Sequence, residues 1–183
     1  MKMAKKLLAL VLIGVMAMSV LTGCGSTASR QAAGKLEGML KKANSEATVD
    51  DGSEALAIKA IEAATTDEGK FETNAKNNIK TALKEGNNDK YVWYACFEAE
   101  GKNKTDKAQA IADEILKTES DGTVTINRYN AVNYLNVKIP GKYNIKPGNE
   151  FMLSMKEFTV TNADGTTTVW IMAVVTCKAV ENK

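Results

Sequence analysis

Two rhythms of apolar residues run through this 183-residue chain, one helical and one stranded. Within residues 29–45, Ala32, Ala33, Leu36, Met39, Leu40 and Ala43 fall on one helical stripe. That predicts a helix, which either docks on the body or stands off it as a stalk. The pattern breaks at Asp50-Asp51-Gly52-Ser53, read as a turn, with Ser53 placed to cap a helix over 54–64. Nearly every residue of that helix except Lys59 and Glu62 is small or apolar, so burial is expected. A longer helix is predicted over 67–85 from Phe71, Ala75, Ile79, Ala82 and Leu83, with Gly86 supplying a left-handed stop. Thr105 is the expected N-cap of the cleanest helix, whose stripe is Ala108, Ile111, Ala112, Ile115 and Leu116.

The two-residue rhythm begins at 91–99. Tyr91, Trp93, Ala95, Phe97 and Ala99 share one face, the better core candidate, while Val92, Tyr94, Cys96 and Glu98 share the other. Val124 and Ile126 begin a strand after the Asp121-Gly122 turn, and Leu135, Val137 and Ile139 alternate with polar neighbours. Pro140-Gly141 and Pro147-Gly148 both have the order of a type II turn. The clearest β signal comes last, in residues 151–160 and 167–178 around the hairpin loop Asn162-Ala163-Asp164-Gly165. On the final strand Val169, Ile171, Ala173, Val175 and Cys177 oppose Trp170, Met172, Val174 and Thr176, apolar on both sides through the middle. Such a strand belongs at the centre of a sheet. Helices, a strand, a helix and then antiparallel strands indicate an α+β fold. The expected form is N-terminal helices on one face of an antiparallel sheet with a C-terminal hairpin or meander, as in cystatin-like or NTF2-like folds.

The chain opens differently. Lys2, Lys5 and Lys6 precede an uncharged apolar run over residues 7–21. Those residues make a helix of roughly 22 Å, short of the ~30 Å hydrocarbon core of a bilayer. Charge, length and the polar sequence that follows suit a cleaved secretory signal better than a permanent span. The run closes on Leu21-Thr22-Gly23-Cys24, which resembles the lipobox of bacterial lipoproteins position by position. The resemblance covers residues 1–24 only. It implies that the Cys24 thiol receives a diacylglyceryl group and that a signal peptidase cuts just before it, making Cys24 the first residue of the mature chain. Two acyl chains, palmitate or similar, hold stably where one is marginal. The implied location is the bacterial cell envelope, membrane-anchored and outside the cytoplasm. The organisation expected is a signal peptide over 1–23, a tether with a possible helix over 24–50, and one α+β domain over 51–183.

Loss of residues 1–23 removes three lysines and no acid, leaving 21 basic against 22 acidic residues. Near-neutral, interspersed charge makes no case for nucleic acid as a partner. The chain has no histidine, which excludes Ser-His-Asp and Cys-His catalysis and His-ligated zinc. After Cys24, Cys96 and Cys177 remain. Export permits a disulfide between them, while their apolar settings equally suit free buried thiols. Asp50-Asp51 and Asp67-Glu68 lack the spacing of a calcium loop and read as acids complementing helix starts. Asn103-Lys104-Thr105 matches a glycosylation sequon by chance. Tyr91, Trp93, Tyr94, Tyr134 and Trp170 could line a binding surface, though Trp93 and Trp170 read as core.

No residue pattern calls for a cofactor, a metal or a catalytic group. The expectation is a lipid-anchored extracytoplasmic module that binds rather than catalyses, with a protein, peptide or glycan partner unspecified. Two alternatives stay open. One is a ligand-binding or enzymatic domain with an apolar cavity between sheet and helices. The other is a structural subunit of a surface assembly.

Overall fold

The computed structural model describes residues 25–182, so the lipobox residues Leu21, Thr22, Gly23 and Cys24 lie outside the described residues. The described chain is an α+β fold. Helix α1 (Gly25–Leu40) leads into strand β1 (Thr48–Asp51), then helices α2 (Ala55–Ala64) and α3 (Ala75–Lys84). Strand β2 (Lys90–Glu98), helix α4 (Lys104–Ile115) and a small ladder of β3 (Leu116–Thr118) and β4 (Val124–Ile126) follow. Two 3₁₀ turns, Arg128–Asn130 and Tyr134–Asn136, carry the chain to the long hairpin of β5 (Ile145–Thr161) and β6 (Thr167–Glu181). The main sheet has the order β1-β5-β6-β2. The final strand is therefore central, as its two apolar faces require.

Both of its faces are covered by helices. On one, Ala32, Ala33, Leu36 and Leu40 of α1 and Ala108, Ile111, Ala112 and Ile115 of α4 pack on Trp93, Phe151, Leu153, Ile171 and Val175. On the other, Ala57, Ala60 and Ala64 of α2 and Ile79 and Leu83 of α3 pack on Val92, Phe158, Val160, Met172 and Val174. The helices thus occupy two faces where one was expected, and α1 docks rather than standing as a stalk. The reason lies in parity. Even- and odd-numbered residues of β6 are both apolar, and each set needs its own cover. The sheet is also mixed, because β1 runs parallel to β5, with Val49 opposite Phe151.

Long-range pairing overrides local reading at several places. Asp50 and Asp51 sit in β1 instead of a turn, since the Gly52 N–H donates to the Leu153 carbonyl at 2.8 Å and extends the parallel ladder. Glu54, not Ser53, precedes α2, and no acid occupies the first turn of α2 or α3. The 67–85 helix shrinks to Ala75–Lys84 because Gly69, at φ +72°, folds the chain back and pairs Thr65 with Phe71. Phe71 then packs edge-on against Trp170, with ring centroids 4.9 Å apart. The cap of α4 is Asn103, whose side chain accepts the Thr105 and Asp106 N–H groups while Asp106 answers in a capping box. Pro147-Gly148 lies within β5 at a bulge. At Gly148 the space is tight, since a Cβ would meet the Lys178 carbonyl oxygen at 3.2 Å. Gly86, Gly141 and Gly165 do take positive φ, at the stop, turn and hairpin tip where such residues were expected.

Candidate functional site

One face of the sheet is not fully roofed. α2 and α3 cover β5 and β6, but the outer half of β2 emerges beyond them into an open groove of about 940 Å³. Phe71, Tyr94, Cys96, Val132 and Trp170 make its floor. One wall is α3, where Lys76, Lys80 and Lys84 recur at every fourth residue around Ile79. The opposite wall is the 128–136 segment, which contributes Tyr129, Asn130, Tyr134, Leu135 and Asn136, with Glu114 of α4 at its foot.

The second wall owes its position to one buried amide. Asn133, 1% exposed, accepts the Val92 N–H at 3.0 Å and donates to the Asn87 and Lys90 carbonyls at 2.7 and 2.6 Å. The Val132 N–H adds a bond to the Val92 carbonyl at 2.8 Å. This lashing prevents residues 134–139 from continuing as the alternating strand their pattern suggested. They form a 3₁₀ turn that buries Val137 and leaves Leu135 76% exposed on the groove rim. Tyr129, 64% exposed, stacks edge-on with Tyr134 at 5.3 Å. The hydrogen-bonded Arg128 guanidinium beside it draws its phenol below the ordinary range. Desolvation pushes the half-buried Tyr94 hydroxyl up.

The aromatic candidates divide between core and groove. Tyr91 and Trp93 are core, stacked 5.9 Å apart, and the Trp93 indole donates to the Asn127 carbonyl at 3.0 Å. Tyr94, Tyr134 and Trp170 line the groove, so Trp170 is not the plain core residue expected. Sequence reading missed the lysine row and Leu135. The row's repeat of four was visible, but nothing in sequence placed it beside Tyr94.

Cys96 and Cys177 are free thiols. Cys177 stands opposite Tyr91 in the ladder, five positions from Cys96, so the two lie on opposite faces of the sheet. That offset spans about 17 Å, far beyond the ~7 Å Cα limit of a disulfide. Burial pushes both thiols up to about 12. At pH 8 iodoacetamide should therefore leave both unmodified in the native protein and modify both in denaturant, read by mass. Above pH 9 the unfolded chain loses these protons and the folded one keeps them, so stability should fall as pH rises from 9 toward 12.

Among the described residues no group of three or more Cys, Asp or Glu side chains could hold a metal ion, and no helix is long and apolar enough to cross a membrane. Asn103 of the sequon is engaged in the α4 cap. Comparison of the chain with protein-family models, with curated proteins and with solved structures returns no match, so its groove is the guide to function.

Proposed function

We propose that this is a lipid-anchored protein of the bacterial cell envelope, tied to the membrane through Cys24 and facing outside the cytoplasm, which acts by binding in the groove between α3 and residues 128–136. The anchor rests on the leader and lipobox of residues 1–24. Binding without catalysis rests on one observation, the make-up of the groove. Its floor is aromatic and one wall is cationic, but among the described residues Glu114 is the single carboxylate that lines it, and the Cys96 thiol stays protonated. General acid–base or nucleophilic work needs a paired base or an activated nucleophile beside a reacting group. A half-apolar cleft with a few polar groups at its edge is suited to holding a ligand.

The anionic aromatic dye anilinonaphthalene sulfonate is a suitable probe of the mature chain. Native protein should bind it with one-to-one stoichiometry and energy transfer from Trp170. Leu135→Asp, a change at an exposed rim position, should weaken that binding several-fold without altering the melting temperature. Absence of binding, or equal binding by the variant, would reject the groove as the site. Turnover of any ester, glycoside or peptide in a broad panel would reject the non-catalytic reading.

A further inference from the structure

We infer that the occupant of the groove is an extended peptide segment with acidic side chains at alternate positions, added as a fifth strand beside β2. This rests on the reading of the groove as a binding site and names its ligand class. The first support is charge. Lys76, Lys80 and Lys84 form no ion pair among the described residues. They stand on one wall of the groove with no acid of α3 between them. Three unpaired cations along one edge of an apolar floor call for an anionic partner.

Backbone geometry supplies the second support. β2 is an edge strand, joined to β6 on one side only. Even-numbered residues of β2 direct their N–H and C=O groups to the other side. Lys90 and Val92 do so toward Asn133 and Val132, which close the first half of that edge. The closure stops there. Tyr94 and Cys96, in the same unbroken register, face the same way with no strand to meet them among the described residues, and both line the groove. Exposed N–H and C=O groups in a row are a template for strand addition.

Spacing joins the two. Side chains four apart on a helix are separated by about 6 Å along its axis. Same-face side chains of an extended strand repeat every ~6.7 Å. A row of three lysines thus matches carboxylates at every second residue of an added strand, within an ångström per step. Intervening side chains would face the opposite side of the sheet, away from the lysine row. An anionic lipid or glycan could meet the lysines but has no use for the open edge.

The test uses the mature chain and a fluorescein-labelled peptide alternating Glu and Val with three Glu residues, followed by anisotropy and by amide exchange. The peptide should bind, with slowed exchange at the Tyr94 and Cys96 amides that the dye does not produce. The triple variant Lys76→Gln, Lys80→Gln, Lys84→Gln, changed at two exposed positions and one half-buried one, should weaken peptide binding about tenfold, as three partly exposed ion pairs would. Gln in place of Glu should cost as much. Equal binding by a peptide with its three Glu residues contiguous, or unaltered exchange at both amides, would overturn the strand geometry. Lysine-dependent binding to phosphatidylglycerol vesicles with none to the peptide would overturn the ligand class. If the dye binds and the peptide does not, the groove remains a binding site and only this inference fails; if neither binds, the site itself is lost.

Discussion

Asn133→Ala should destabilise the domain by on the order of 3 kcal/mol, because it strands three polar partners at once, two of them in fully buried hydrogen bonds. The Val92 N–H and the Asn87 and Lys90 carbonyls all lose the amide that satisfies them. At 1% exposure the removed side chain also leaves an enclosed cavity behind. For a domain of this size the melting temperature should drop by about 10 °C. Asn133→Asp separates the two halves of the effect, since a carboxylate still accepts from Val92 but cannot donate to the carbonyls. It should be at least as harmful as Ala, as it adds a buried charge facing two carbonyl oxygens. Both variants should also weaken dye binding at temperatures where the domain is folded, because the wall bearing Tyr129, Tyr134 and Leu135 depends on this residue. Calorimetric melting of the variants beside the parent measures the first effect. A shift under 2 °C would mean that water or a rearranged loop satisfies those groups.

How much of this could be read beforehand depends on whether a neighbour along the chain or across the fold decides each element. The α4 stripe, the α1 stripe, the Gly86 stop and the 162–165 hairpin are local, and the structure places them as the pattern indicated. The central position of β6 followed from two apolar faces on one strand. β1 did not announce itself. Thr48-Val49-Asp50-Asp51 has one apolar residue, and it becomes a strand only because β5 offers a parallel edge and a pocket for Val49. Helices on both faces follow from the same parity that makes β6 central, since each apolar face needs its own cover. The groove was illegible for a related reason. Its floor residues come from positions 71, 94, 96, 132 and 170, and only the register of β2 against β6 brings Tyr94, Cys96 and Trp170 together. The wall at 134–136 looked like a strand because Asn133, an unremarkable polar residue in sequence, does its work through partners more than forty positions away.

Cys24→Ser should abolish lipid attachment outright. A hydroxyl does not take the diacylglyceryl group that the lipobox resemblance implies, and the cleavage that follows lipidation should fail with it. At about 0.8 kcal/mol per buried methylene, two acyl chains leave almost no mature protein in solution. Among the described residues no helix could substitute as an anchor once the leader is removed. In a bacterial host the parent should fractionate with membranes and be released by detergent. The variant should accumulate as an uncleaved or mis-cleaved precursor that lacks lipid. A variant still lipidated would show that the anchor lies elsewhere.

The most direct measurement is the intact mass of the parent protein purified from bacterial membranes. The account predicts a chain beginning at Cys24 and heavier than its amino acids by a diacylglyceryl group, with or without a further acyl chain. A mass that retains residues 1–23, or a processed chain with no lipid, would contradict it.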